Sequence, residues 1–143
     1  MKHELVMRAD EVASYVSEVF PQSDQYGFLV DELDAGRILV KMAINESHLR
    51  PGGTVSGPSM FALADCAAYL LVLSHVGKVA LAVTTNLNIN FLAKPEADGE
   101  LIGEGRLLKL GKRLAVCEVA INSSVSDQLV AHATATYSIP PRN

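Results

Sequence analysis

Residues 56–77 read SGPSMFALADCAAYLLVLSHVG, and the fold is decided here. Ser56 and Gly57 suit an N-cap, and Pro58 suits the first helical position, where the backbone N–H has no partner to lose. From Met60 to Leu73, apolar residues fall on nearly every face of the predicted helix. A helix that is apolar all round is buried all round. One ionisable residue, Asp65, interrupts the run. A carboxylate withdrawn from water is costly unless it is paired, protonated or put to use. Asp65 therefore reads either as a structural acid held by hydrogen bonds or as a catalytic one.

Downstream of this stretch the pattern changes to period two. In 83–91, VTTNLNINF, the residues Val83, Thr85, Leu87, Ile89 and Phe91 alternate with Thr84, Asn86, Asn88 and Asn90. That alternation predicts a strand, and its three asparagines mark a polar face. Three more strands are expected over 100–109, 113–123 and 128–139, with turns at 97–99, 110–112 and 124–127. Upstream, 27–33 and 37–44 form a hairpin around Asp34-Ala35-Gly36. Residues 45–55, NESHLRPGGTV, are a loop by composition. Residues 4–20 have helical spacing, and Pro21 closes an N-terminal helix within 1–21.

The order is thus helix, two strands, central helix over 56–77, four strands. With neither linker nor repeat, residues 1–143 read as one α+β domain. Short connections make its sheet of about six strands mainly antiparallel. One sheet covers one side of a helix, so a wholly apolar helix predicts a curved sheet wrapped round it and a second copy over the remainder.

Composition narrows the function. The net charge of −4, from 12 Lys+Arg against 16 Asp+Glu, offers no electrostatic attraction to nucleic acid or an anionic membrane. The apolar run Met60–Val76 falls short of the ~20 residues that span a bilayer, and it contains Asp65. The N-terminus has acidic residues and no apolar signal core. The two cysteines, Cys66 and Cys117, suggest reduced thiols and a cytoplasmic setting. His3, His48, His75 and His132 lack metal-binding spacing, and His48 reads as a surface residue.

The run from Gly52-Gly53 through SGPSMFALAD, followed by AVTTNLNINFLAKP, resembles the hotdog-fold thioesterases of the phenylacetate-pathway (PaaI-like) type, from about Gly27 to Ile139. The resemblance implies hydrolysis of acyl-coenzyme A thioesters by homodimers or dimers of dimers, with no metal and no cofactor beyond the coenzyme A of the substrate. The family signature is His-Gly-Gly followed seven residues on by an acid. Here Ser56-Gly57-Pro58 takes those three positions and Asp65 is the acid. Gly57 and Asp65 match, Ser56 replaces the histidine and Pro58 the second glycine. Arg50 stands where many relatives carry Asn or Gln. A hydroxyl from the following strand falls on Thr84, or on Thr85 if the alignment slips by one.

Thioester hydrolysis needs an attacking group, a donor to the carbonyl oxygen and a groove for the thiol portion. Asp65 can activate water or attack directly. The Gly57 N–H, at the positive end of the helix dipole, can donate to the oxyanion. Eight residues at 1.5 Å rise separate these two by roughly 12 Å, yet each must lie about 3 Å from the reacting atoms. Two antiparallel copies solve this, with Gly57 of one facing Asp65 of the other. Ser56 is expected to cap the helix or bond substrate. Arg50, and Lys112 with Arg113 in the turn after Lys109, are expected to meet the coenzyme A phosphates. Phe61 and Tyr69, at i−4 and i+4 from Asp65, are expected to line an acyl pocket between subunits. Loss of the signature histidine also suits a non-catalytic acyl-CoA binding protein. A hydratase is disfavoured, because Ser56 stands where its histidine would be.

Overall fold

The computed structural model describes residues 3–141. Its elements are α1 (Ala9–Val19), a 3-10 helix (Pro21–Tyr26), β1 (Phe28–Asp34), β2 (Arg37–Ala43), a 3-10 turn (Glu46–His48), α2 (Gly57–Val76), β3 (Val83–Phe91), β4 (Glu100–Leu110), β5 (Leu114–Ser123) and β6 (Leu129–Ser138). The six strands form one antiparallel sheet in the order β1-β2-β4-β5-β6-β3. This is the hotdog arrangement, a curved sheet around α2.

Period-two patterning produces the wrap. Ile38, Val40 and Met42 of β2, Ala115, Cys117, Val119 and Ile121 of β5, and Ala131, Ala133 and Ala135 of β6 are buried on the inner face. At the centre of that face the residues are small. A Cβ at Gly103 would lie 3.4 Å from the Leu63 side chain, and one at Gly105 would lie 3.0 Å from Ile38 and 3.5 Å from Leu71. The missing side chains let the sheet close onto α2 at this point.

Several expectations change. The first helix begins at Ala9 and not at Glu4, because the N–H groups of Val6 and Met7 both donate to the Ser74 carbonyl, at 2.8 and 3.2 Å. They satisfy an oxygen that the end of α2 leaves unpaired. Met1 and Lys2, also assigned to that helix, lie outside the described residues. Pro21 ends α1 as expected, but the chain then enters the unanticipated 3-10 helix. Pro58 takes the second helical position, since Ser56 is the N-cap. That position also has a spare N–H, so the substitution of proline still costs no hydrogen bond.

The remainder of α2 is partly covered by the chain itself. α1 packs on it and contributes Val12 and Val16 to the core. Between its ends, Gly57-Pro58 and Val76, a stripe holding Phe61, Ala62, Asp65, Cys66 and Tyr69 is left half-buried or exposed. At 20 residues, α2 is long and apolar enough to cross a membrane. Length therefore does not exclude a span, contrary to the reading of 60–76 as too short. The packing assigns α2 to the core.

The strict alternation of β3 also fails. Thr84 pairs with Tyr137 and Asn86 with Thr136, so Thr85 is an extra residue in a bulge. Beyond it, Leu87 and Ile89 pack on the core while Asn86, Asn88 and Asn90 are exposed. β3 is a sheet edge.

One consequence concerns pH. His75 is buried, its Nε2 accepts from the Gly36 N–H at 2.9 Å, and its Nδ1 lies 2.9 Å from the Leu71 carbonyl. Burial lowers its pKa, with a smaller lowering from His3 and an opposing pull from the Leu71 carbonyl. The unfolded chain, with histidine near ~6.5, binds more protons than the folded one once pH falls below that value. Stability is therefore lost on acidification. Urea midpoints are expected to be lower at about pH 5 than at neutral pH, with a smaller difference in His75→Gln.

Candidate active site

Asp65 sits midway along the exposed stripe of α2, half-buried. Thr84 Oγ1 donates to Asp65 Oδ1 at 2.7 Å, and the Tyr137 hydroxyl donates to the same oxygen at 2.6 Å. The bulge in β3 turns Thr84 inward, and the β3–β6 register sets Tyr137 beside it. Asp65 Oδ2 accepts no hydrogen bond among the described residues. The carboxylate is thus held by one oxygen and available through the other.

Asp65 opens on a cavity of about 560 Å³, whose walls include Phe61, Tyr69, Thr84 and Tyr137. Three of these were expected at the site. Tyr137 was not. Its trace in the sequence is slight: it is the one large polar residue among the inward positions that follow Ala131, Ala133 and Ala135. Burial first, and then the Asp65 charge, push its pKa well above the usual phenol range, so it stays a proton donor. Its ring stacks on Tyr69, with centroids 6.0 Å apart. Tyr137→Phe keeps that stack and removes a hydrogen bond to a carboxylate worth about 1.5–3 kcal/mol. Turnover is expected to fall at least tenfold with little change in KM, read from steady-state kinetics.

Cys66 also lines the cavity, but burial, helped by the neighbouring Asp65 charge, pushes its thiol up to about 12. A thiol so held is no nucleophile at neutral pH.

Gly57 opens α2, and its N–H has no acceptor among the described residues. It lines a second cavity, also about 560 Å³, together with Arg50, Phe91 and Lys94. The Phe91 ring lies against Gly57, where a Cβ would stand 3.3 Å from it. Close approach at Gly57 is thus made by a side chain of the same protomer. Asp65 and Gly57 occupy different cavities, as their separation on one helix requires.

The other expected residues scatter. Ser56 caps the helix, its Oγ accepting the Ser59 N–H at 3.3 Å, and it lines neither cavity. Thr85 is exposed and bonds the Thr136 carbonyl, so of the two threonines only Thr84 reaches Asp65. Lys112 and Arg113 lie in the β4–β5 turn, outside both cavities but at the end of the sheet that holds Val83 and Tyr137. His48 is 1 % exposed and not at the surface. Its Nδ1 accepts the Asn45 N–H at 3.1 Å, which folds the ring inward, and burial lowers its pKa. Among the described residues no cluster of three His, Cys, Asp or Glu side chains could hold a metal ion.

Residues 52–137, which carry the helix, Asp65, Thr84 and Tyr137, match the thioesterase superfamily profile. The chain belongs to the thioesterase superfamily. A crystal structure of a thioesterase candidate from Silicibacter sp. TM1040 is 52% identical to this thioesterase, covers 97% of it with 96% of its own chain, and superposes with a TM-score of 0.89. A mutant structure of the phenylacetic acid degradation protein PaaI from Thermus thermophilus is 26% identical, with a TM-score of 0.75, over 84% of this chain and 99% of that one. Human acyl-coenzyme A thioesterase 13 is 24% identical over 96 residues, which are 67% of this chain and 68% of that protein. This thioesterase is a PaaI-like thioester hydrolase of hotdog fold.

Proposed function

We propose that this thioesterase hydrolyses acyl-CoA to the free acid and coenzyme A, in the cytoplasm, at a site shared between two copies of the chain. The observation that carries this is the state of Asp65: Oδ1 held by Thr84 and Tyr137, Oδ2 unpaired, beside a cavity with a mainly apolar wall. Asp65 takes a proton from water as the water oxygen bonds to the thioester carbon. The carbonyl oxygen gains negative charge, and the Gly57 N–H of the second copy donates to it. The C–S bond then breaks, the sulfur leaves with the electron pair and is protonated, and the acid departs. Alternatively, Oδ2 bonds to the carbon directly, the sulfur leaves with the C–S electron pair and is protonated, and water cleaves the resulting anhydride to the acid and the restored Asp65 carboxylate. Single turnover in ¹⁸O water separates the two: the first route puts solvent oxygen into the acid, whereas water attack on the Asp65 carbon of the anhydride puts it into Asp65 and releases unlabelled acid.

The edge of the sheet supports the dimer. One side of β3 is unpaired, and Val83 and Phe91 at its ends are 56% and 50% exposed. Bare edges invite pairing. Antiparallel pairing of β3 with its copy about a two-fold axis brings the Phe91 end of one to the Val83 end of the other. Phe91 rests on Gly57, and Thr84 holds Asp65. Gly57 of one copy thereby approaches Asp65 of the other. Arg50 and Lys94, beside Gly57, then stand ready for the coenzyme A phosphates from one copy, and Lys112 and Arg113 from the other.

The direct test is a panel of acyl-CoA esters with thiol release as the readout, beside light scattering for the oligomer. Absence of turnover across the panel overturns the substrate, and a monomer at assay concentration overturns the composite site.

A further inference from the structure

We infer that the acyl group is held inside one protomer, between α2 and the segment Val19–Tyr26, and that this segment sets the acyl length accepted. The inference rests on the proposed acyl-CoA hydrolysis and adds to it a cis subsite for a neutral, apolar acyl chain.

The cavity that Asp65 opens on lies in the size range of small-molecule sites, roughly 300–1,000 Å³, and the sheet, through Phe28, Val83, Thr84 and Tyr137, builds only part of its wall. Its far wall is the end of α1 and the 3-10 helix, which present Val19, Phe20 and Tyr26 together with the polar Gln22, Ser23 and Gln25. The near wall is α2, where Ala62 and Cys66 flank Asp65 and leave the space unfilled. Phe20, an apolar ring 48% exposed, lines this wall of the cavity.

The far wall is stiff. Ser17 Oγ donates to the Asp24 carboxylate at 2.8 Å, Ser23 Oγ donates to the Phe20 carbonyl at 2.8 Å, and Gly27, at φ +70, closes the 3-10 helix by donating to the Asp24 carbonyl at 3.1 Å. Tyr26 stacks on Phe28 with centroids 5.3 Å apart. Such a wall cuts off length, because an extra methylene meets a segment tethered by hydrogen bonds and not a yielding loop.

Charge sets the class. Among the described residues no Lys, Arg or His lines this cavity, and Asp65 is the one charged residue that does. An acyl group carrying its own carboxylate would be buried beside a like charge with no cation to meet it. Straight, uncharged chains fit.

The experiment is a straight-chain series from acetyl-CoA to dodecanoyl-CoA, with succinyl-CoA added, on wild type, Phe20→Ala and Ala62→Leu. Calorimetric titration with 1-octanol, a neutral probe, reads the cavity without turnover. Phe20→Ala is expected to raise the ratio of kcat/KM for long over short chains about tenfold, the scale of a methylene or two in an apolar pocket. Ala62→Leu, filling from the opposite wall, is expected to lower that ratio and to weaken octanol binding. Succinyl-CoA is expected to be the poorest substrate of its length. Turnover with unchanged length profiles in both variants overturns the cis subsite and leaves the hydrolase reading standing. No turnover, but octanol binding weakened by Ala62→Leu, overturns the hydrolase reading and keeps the cavity. Octanol binding that neither variant moves overturns the subsite.

Discussion

Asp65→Asn is expected to lower acyl-CoA turnover by about 10²–10⁴-fold, the usual contribution of a positioned acid or base. The substitution is chosen for what it keeps. Thr84 and Tyr137 donate to one oxygen of Asp65, and the amide oxygen of asparagine can accept both bonds. The other oxygen becomes an NH₂ group, which neither takes a proton from water nor attacks a carbonyl. Stability should therefore change little while catalysis collapses. Alanine is a poorer test, because it removes the carboxylate oxygen that Thr84 and Tyr137 share and leaves the buried Tyr137 hydroxyl only the backbone carbonyl of residue 65, at 3.0 Å. Thiol release measured beside thermal melts decides the matter: an asparagine variant with wild-type turnover would make Asp65 a structural acid.

The second large effect comes from combining two defects. An amide-to-ester replacement at residue 57 removes the N–H and weakens the Ser56 carbonyl that accepts from Met60, and loss of one oxyanion donor costs about 10²–10³-fold in turnover. Alone, it and Asp65→Asn each disable both sites of a homodimer. In a mixed dimer the outcome depends on where the site lies. If Gly57 of one copy serves Asp65 of the other, one site carries both defects and the other carries none. Refolded mixtures should then recover activity, approaching half that of wild type per heterodimer. If each site used residues of a single chain, both sites would stay impaired and mixing would restore nothing. The roughly 12 Å along α2 between the two residues and the open edge of β3 predict recovery.

Where the sequence was legible, its pattern carried a physical constraint strong enough to survive folding. The apolar run of 56–77 had to be a buried helix, and the period-two runs had to be strands around it. A lone acid in such a helix had to be held by something. Thr84 was within reach because it begins the strand after the helix. Other features were hidden because they depend on register and not on composition. A bulge of one residue at Thr85 turns Thr84 toward Asp65, and strict alternation predicted the opposite face. Tyr137 lies 72 residues from Asp65, and only strand pairing brings it there. His48 looked like a loop residue until the Asn45 cap drew its ring inside.

The chain's own pattern, then, determined the helix, the sheet and the acid between them, since burial acts wherever those residues stand in line. Tertiary structure alone decided what holds Asp65, which of its oxygens stays free, and that the segment after α1 walls the cavity beside it. Those contacts join residues far apart in sequence. Their geometry is set by a bulge, a strand register and a 3-10 turn, each of which shifts a side chain by a full face for the change of a single residue.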